Sequence, residues 1–232
     1  MRWLKLNLEA PLSAFGGVVV DGLGVTRDHP ALSAITGLLA NALGYDRTES
    51  GRLAALQSRL LLASAFRAGD GRRLIDFQTA KLAKNDRGWT RDGVEGREGG
   101  GATYDSPALT YRHYHADRPT ICVVGLKEEG DPDLDMISAA LDRPERPLFI
   151  GRKSCLPAGP ICGGIFEAEN AHEALLASLT CSGDWRISLP AGQGAPNQAR
   201  EVRIPDLRDW TAGFHSGDRL IVEGNICMGA IA

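Results

Sequence analysis

The chain has 232 residues, of which 43% are hydrophobic and 24% charged, enough for one sizeable core or for one domain with a small addition. Its net charge of −3 excludes the broad basic surface of a free-standing nucleic-acid binder, so a nucleic-acid contact must use a local basic patch. The five cysteines are odd in number and lack CxxC spacing, so neither a disulfide framework nor a zinc site is indicated, and no cofactor is expected. The sequence has no signal-peptide core and no apolar run of the roughly 20 residues that span a bilayer, which predicts a soluble cytoplasmic protein without membrane contact.

The first third of the chain predicts a strand, a helix and a mixed segment. Residues 4–8 alternate leucine with polar side chains, the period of a strand with one buried face. A glycine-rich stretch at 16–24 precedes an apolar stripe at helical spacing over 30–43, which begins with a proline. Residues 53–66 are ambiguous: the first half fits a helix, and the part from Leu60 fits a strand.

The middle of the chain predicts short strands on either side of a long irregular segment. Residues 74–77 fit a short strand, and 111–115 and 121–124 fit two more, the last of them buried. Between them, residues 79–109 show no apolar period and hold many glycines and charges. A loop of this length in a compact domain is usually functional or disordered.

A second helix and a further strand complete the predicted N-terminal unit. The helix opens at Asp131-Pro132, with Leu134, Ile137, Ala140 and Leu141 facing inward, and prolines end it before a strand at 148–150. The resulting order, β-α-β-β-α-β, predicts an α+β, ferredoxin-like (RRM-like) domain over residues 1–155. Residues 156–232 predict one helix at 170–179 and short strands, which we interpret as a small C-terminal β appendage.

The loop after the predicted strand at 148–150 has a composition suited to phosphate. Gly151, Arg152, Lys153 and Ser154 combine backbone N–H groups, a guanidinium fork, a point charge and a hydroxyl. The P-loop pattern GxxxxGK[ST] is absent. An exposed basic turn explains the same composition, and on composition alone it is the stronger interpretation.

Two further clusters have both a functional and an ordinary interpretation. The region from Arg67 to Arg91 is the most basic in the chain and contains Phe77 and Trp89, a mixture that suits single-stranded nucleic acid but equally a solvated charged loop. His113 and His115 lie at i and i+2 on a predicted strand, where they share a face. They fit general acid–base cleavage of RNA, or ordinary strand histidines.

Taken together, five segments resemble the CasD-type subunits of type I-E Cascade, within the repeat-associated RNA-binding protein superfamily. The segments are residues 10–16, 33–44, 76–79, 111–117 and 147–155, and the last is the most similar to the family pattern: Pro-Leu-Phe-Ile-Gly-Arg-Lys-Ser-Cys. The region 25–33 departs from the family pattern by one cation fewer at the helix start, and the C-terminal region matches loosely.

The resemblance implies a non-catalytic subunit of a CRISPR surveillance complex in antiviral defence. It implies a ferredoxin-like fold with a long β-hairpin thumb at about 79–109, binding of the crRNA 5′ handle, and contacts with the backbone and large subunits, so that target DNA is met only through the complex. The implied RNA-binding residues are Arg27, Ser33, Lys81, Lys84, Arg87, Arg91, Phe149, Ile150, Gly151, Arg152, Lys153 and Ser154.

Two alternatives stay open at the level of sequence. One is a CasD-like endoribonuclease that processes crRNA, as in type I-C systems, with His113 and His115 performing the chemistry. The other is a ferredoxin-like protein-interaction module without RNA, which the glycine-arginine-lysine-serine loop disfavours.

Overall fold

A computed structural model describes residues 1–17, 19–20, 22–81, 89–90, 93–94, 107–194 and 199–229. Its helices are α1 Leu32–Ala42, α2 Ser50–Arg59, α3 Leu134–Asp142 and α4 Ala171–Ser178. Its longer strands are β1 Arg2–Leu8, β5 Leu60–Arg67, β6 Arg72–Ala80, β9 Ala108–Ala116, β10 Thr120–Leu126, β11 Cys162–Glu167, β12 Gly183–Pro190, β13 Arg200–Arg208 and β14 His215–Met228. The two-residue strands are β2 Leu12–Ser13, β3 Val19–Val20, β4 Leu23–Gly24, β7 Trp89–Thr90 and β8 Gly93–Val94.

Seven strands form the main sheet, in the order β11-β1-β10-β5-β12-β14-β13, and every neighbouring pair is antiparallel. Its first four strands connect with α1 and α3 as β-α-β-β-α-β. The predicted strand at 4–8 and the predicted buried strand at 121–124 are confirmed as β1 and β10. The ambiguous segment 53–66 divides between α2 and β5, with the strand beginning at Leu60 as the sequence indicated.

Helices cover both faces of this sheet. On one face, α1, α2 and α3 pack against a core that includes Leu4, Leu6, Leu62 and Val124. On the other face, α4 packs against a smaller core around Trp3. Alternate residues of β1 thus enter different cores, as the two-residue period of a strand requires.

The strand predicted at 148–150 is wrong, and β11 takes its place in the sheet. Ile150 is 2% exposed, so its side chain is part of the core, but the residue lies in a loop and does not pair with a strand. β11 contains Gly163 and Gly164, which remove the apolar alternation by which a strand is recognised in sequence. The predicted fold class is therefore confirmed as mixed α and β with a large antiparallel sheet, but with a different fourth strand.

The C-terminal strands widen the main sheet and do not form a separate appendage. β12 pairs with β5 from Trp185↔Arg67 to Ser188↔Ser64, and β14 and β13 follow outward. The sheet thus continues across the predicted division after residue 155.

A second sheet is built on a long hairpin between β5 and β10. β6 and β9 pair antiparallel over nine register positions, from Arg72↔Ala116 to Ala80↔Ala108. β2 and β4 join the other side of β9, and β3 pairs with β4. The strands are longer than the predicted 74–77 and 111–115, and most of the segment 79–109 lies outside the described residues.

The N-terminus of α1 is capped by a residue 174 positions away. The helix begins at Leu32, two residues after the predicted Pro30, and Ala31 at its N-cap offers no side-chain acceptor. Instead, the buried Asp206 carboxylate on β13 accepts from the Leu32 N–H at 2.9 Å and pairs with Arg219 at 3.0 Å. This carboxylate ties the first predicted helix to the outermost strands of the sheet.

We expect Asp206→Ala to lower the free energy of unfolding by about 3 kcal/mol or more, because it leaves a helix N–H and the Arg219 charge without a buried acceptor. Asp218→Ala is the matched control on the same hairpin, since Asp218 pairs with Arg203 in the open and its loss should cost less than about 1 kcal/mol. Urea unfolding of both variants measures the difference, and equal losses would contradict it.

Candidate nucleic-acid interface

The loop that contains Gly151 is closed by its own backbone. The Ile150 N–H donates to the Cys155 carbonyl at 2.8 Å, and the Cys155 N–H donates to the Arg152 carbonyl at 2.8 Å. Gly151 has φ +93°, in the left-handed region, and a Cβ at this position would collide with the Ala14 carbonyl oxygen. The Ala14 N–H in turn donates to the Ile150 carbonyl at 3.1 Å, so the loop is fixed against the segment that follows β2.

The Arg152 side chain faces the protein. Its guanidinium donates from Nη1 to the His113 carbonyl at 2.9 Å and from Nη2 to the Gly24 carbonyl at 3.0 Å. Its central carbon lies 4.6 Å from the centre of the Tyr114 ring. The Arg152 guanidinium, which the sequence predicts to bind phosphate, therefore donates two of its N–H groups to carbonyls of β9 and β4. These hydrogen bonds hold the loop against the second sheet.

The remaining polar side chains of the loop face solvent. Lys153 and Ser154 are exposed; the Ser154 hydroxyl hydrogen-bonds with the Cys155 thiol, whereas the Lys153 ammonium makes no hydrogen bond or ion pair with the described residues. Arg112 is also exposed and lacks such a partner in the same part of the chain; it pairs with Gly24 in the β4–β9 ladder and shares a face with Tyr114. Lys153 thus follows Arg152 directly in the loop, and Arg112 is paired with Gly24, whose carbonyl accepts from Arg152. Phe149 is half-buried and Ile150 is fully so.

The predicted contacts at the start of α1 are already occupied by the C-terminal strands. Arg27 donates to the Pro205 carbonyl at 2.9 Å. Ser33 is 7% exposed, and its hydroxyl lies 3.0 Å from Nε2 of His215. Both side chains therefore face β13 and β14, and Asp206 already fills the helix N-terminus that an anion would use.

Of the four predicted thumb cations, Lys81 is exposed at the end of β6. Lys84, Arg87 and Arg91 lie outside the described residues.

The two strand histidines are in different environments. His113 is half-buried and its carbonyl accepts from Arg152. His115 is 1% exposed, with Nε2 at 2.8 Å from the Arg27 carbonyl and its ring packed against Phe15. Burial lowers the pKa of His115 and favours the neutral ring. A buried imidazole with its nitrogen on a backbone carbonyl has no access to an RNA phosphate, which disfavours the nuclease pair.

An ion pair between a buried arginine and an exposed carboxylate, which sequence reasoning missed, holds the coil between β4 and α1. Arg118, in the turn from β9 to β10, donates to the carboxylate and carbonyl of Asp28 and lies 4.0 Å above the Phe66 ring. Arg73 reaches the same carboxylate at 2.9 Å. Burial raises the pKa of the Asp28 carboxyl, but the two arginines outweigh it and the net shift is downward. The sequence carries no signal for this pair, because Asp28 and Arg118 are 90 residues apart.

No group of three or more His, Cys, Asp or Glu side chains within the described ranges has a geometry that fits a metal ion. No helix in that part of the chain is long and apolar enough to cross a membrane.

The model of the CRISPR-associated protein (Cas_Cas5) family matches residues 3–221, nearly the whole chain. The protein belongs to the Cas5 family. A curated relative, the CRISPR system Cascade subunit CasD of Escherichia coli strain K12, is 26% identical over 189 residues, which cover 78% of this chain and 79% of the relative.

Two solved structures share the fold of this Cas5-family chain. A chain of a CRISPR RNA-guided surveillance complex superposes with a TM-score of 0.68 at 20% identity, covering 97% of this chain and 90% of that one. A Cas protein crystal structure gives a TM-score of 0.57 at 23% identity, covering 98% and 95%. These similarities extend over the C-terminal strands as well, the region where the sequence pattern was weakest.

We expect acid to destabilise the protein through His29, whose Nδ1 lies 2.8 Å from the Ser64 hydroxyl. Burial, and then the charge of Arg118, lower the pKa of His29 to about 3. Below pH 6.5 the His29 imidazole therefore binds a proton in the unfolded chain but stays neutral in the folded chain. The free energy of unfolding falls between pH 6.5 and 3 by up to about 1.4 kcal/mol per pH unit.

Urea unfolding at pH 7, 6 and 5 measures this effect. His29→Gln should lose less stability between pH 6.5 and 5 than the wild type. Ser64→Ala is the control: it removes the hydroxyl but keeps the imidazole, so it should keep the wild-type slope. Identical slopes for the wild type and His29→Gln would contradict the assignment.

Proposed function

We propose that this Cas5-family protein is a non-catalytic subunit of a type I-E CRISPR surveillance complex. It binds and caps the 5′ handle of crRNA and contacts the backbone and large subunits. It interacts with target DNA only indirectly, as part of the complex, in the cytoplasm. The observation that carries the proposal is the closed loop Phe149–Cys155, which presents Lys153 and Ser154 on a support that folding has already ordered.

A loop that is ordered before binding favours phosphate recognition. Arg152 positions the loop, while Lys153 in the loop and Arg112 on the neighbouring β9 supply exposed positive charge. Because the backbone is fixed by Gly151 and by the bonds to Cys155, little conformational entropy remains to be lost when RNA binds. Contacts of this kind bind phosphates of any sequence and set the position of the RNA.

The connectivity of the fold supports the same proposal. The strand order β11-β1-β10-β5 with α1 and α3 is the connectivity of a ferredoxin-like unit, a common framework for RNA binding. The β6–β9 hairpin inserted into it is the base of the proposed thumb. We assign the thumb to contacts with RNA and with the backbone subunit.

The relatives support membership of a complex. The curated relative is named as a Cascade subunit, and one structural match is a chain of an RNA-guided surveillance complex. A net charge of −3 fits a subunit that shares its RNA with neighbours, because each subunit then needs to neutralise only a few phosphates.

The endoribonuclease alternative is the weaker candidate. It requires His113 and His115 to act together on one phosphodiester, whereas His115 is buried against Phe15 and the Arg27 carbonyl. A general base must come within hydrogen-bond reach of the group from which it takes a proton.

We expect Lys153→Ala combined with Arg112→Ala to weaken binding of handle RNA to a similar extent for all handle sequences. Each lost phosphate contact should reduce the slope of log K against log salt by about 0.7 for a single strand. A salt series with labelled handle RNA measures this slope. Lys127→Ala is the charge-matched control for Lys153→Ala by itself, because each removes one positive charge; Lys127 directly follows β10, is exposed and donates to the Ser58 carbonyl.

An unchanged salt slope in the double variant would show that the loop is an ordinary exposed turn. The same slope change in Lys127→Ala as in Lys153→Ala would show that only the overall charge matters.

We also expect the full chain, co-expressed with the other subunits of its complex and a CRISPR array, to elute in a ribonucleoprotein. Size-exclusion chromatography with RNA detection checks this. Elution of the chain by itself, with the remaining subunits assembled on crRNA, would contradict membership.

A further inference from the structure

One face of the second sheet exposes a patch of large apolar side chains. The most exposed lie on the β6–β9 hairpin, and one lies on the neighbouring β4: Ile75 58%, Phe77 52%, Leu109 50%, Tyr111 44% and Leu23 42%. We call these five residues the hairpin patch. Scattered apolar residues on a surface are ordinary, but a contiguous set marks a binding surface.

The ladder register places these residues on the same face. Phe77 is paired with Tyr111, and Leu23 is paired with Tyr111 from the other side. The side chains of directly paired residues project to the same face of the sheet. Side chains of residues i and i+2 on one strand also share a face. Ile75 and Leu109 are therefore neighbours of the two rings on that face, and Tyr114, which touches Arg152, lies on the opposite one.

The two rings are adjacent and open to solvent. The centres of Phe77 and Tyr111 are 4.9 Å apart, with an angle of 38° between the planes. Each ring packs against the other on one side and is about half exposed. An aromatic pair of this kind on a strand face is the surface on which proteins stack unpaired bases.

The charges of this face favour a polyanion. Four register pairs of β6 and β9 share this face and contain no carboxylate: Arg73 with His115, Ile75 with His113, Phe77 with Tyr111, and Thr79 with Leu109. Lys81 follows β6 directly and is exposed. Asp28 reaches this sheet only at the Arg73 end, where that arginine and Arg118 neutralise it.

We propose that Phe77 and Tyr111 stack an unpaired base of single-stranded RNA, as a contact separate from the phosphate loop at Gly151–Ser154. The proposal rests on the function proposed above and adds a base-stacking site to it. Because every base has a π-face, this site tolerates different sequences and reports the position of a base more than its identity.

The test uses the full-length chain and handle RNA that carries 2-aminopurine at one position at a time. Stacking quenches 2-aminopurine, so the wild type should show low fluorescence at one or two positions. Phe77→Leu combined with Tyr111→Leu keeps apolar side chains but removes both rings. We expect it to restore the fluorescence at those positions and to weaken binding about tenfold.

Ile75→Ala combined with Leu109→Ala is the matched control, because it removes apolar surface from the same patch and leaves both rings. It should behave as the wild type in fluorescence and affinity. All four side chains are about half exposed, so neither double variant should change the melting temperature appreciably.

Three outcomes would overturn the proposal. Unchanged fluorescence and affinity in the Phe77/Tyr111 variant, with RNA still bound, removes the stacking site and leaves the handle-binding function standing. Loss of assembly with the other subunits in the Ile75/Leu109 variant, without a change in the RNA signal of either variant, assigns the patch to a protein partner. A wild-type chain that binds no handle RNA refutes both proposals together.

Discussion

Two hydrogen bonds from the Arg152 guanidinium join the two sheets of this protein. They run from a loop beside the main sheet to the carbonyls of Gly24 and His113, on two strands of the second sheet. The loop can present its side chain in this direction only because Gly151 turns the backbone through a left-handed conformation against Ala14. Together with the hydrogen bond from Ala14 to Ile150, this contact fixes the Gly151–Ser154 loop relative to the hairpin patch.

The coil between β4 and α1 carries a second constraint, which is electrostatic. Asp28 is held by Arg118 and Arg73, and Asp206 is held by Arg219 and by the first N–H of α1. Arg118 and Asp206 are buried, and a buried charge is stable only when it has a partner of opposite sign, so these pairs hold the coil in its path. In the same region Arg27 and Ser33, which sequence reasoning assigned to RNA, contact the C-terminal strands through Pro205 and His215.

A basic residue in a predicted binding motif can therefore have a structural role, while a neighbouring basic residue stays exposed to solvent. Arg152 stands at the centre of the predicted motif, yet much of its bonding capacity is directed inward. Lys153 and Arg112 remain exposed beside it. In a chain with a net charge of −3 this distinction matters, because only a cation that is not already paired within the protein is free to neutralise an external anion.

The sequence by itself determined the elements with strong periodicity: the strand β1, the helices α1 and α3, the division between α2 and β5, and the buried strand β10. It also indicated the family, through short motifs in a fixed order. The fourth strand of the N-terminal unit, the joining of the C-terminal strands to the main sheet, and the direction of each polar side chain were decided only by the tertiary structure. The physical reason is that periodicity records which residues are buried. The partner of a hydrogen-bonding group is set by residues that folding brings together from distant positions, such as Leu32 and Asp206.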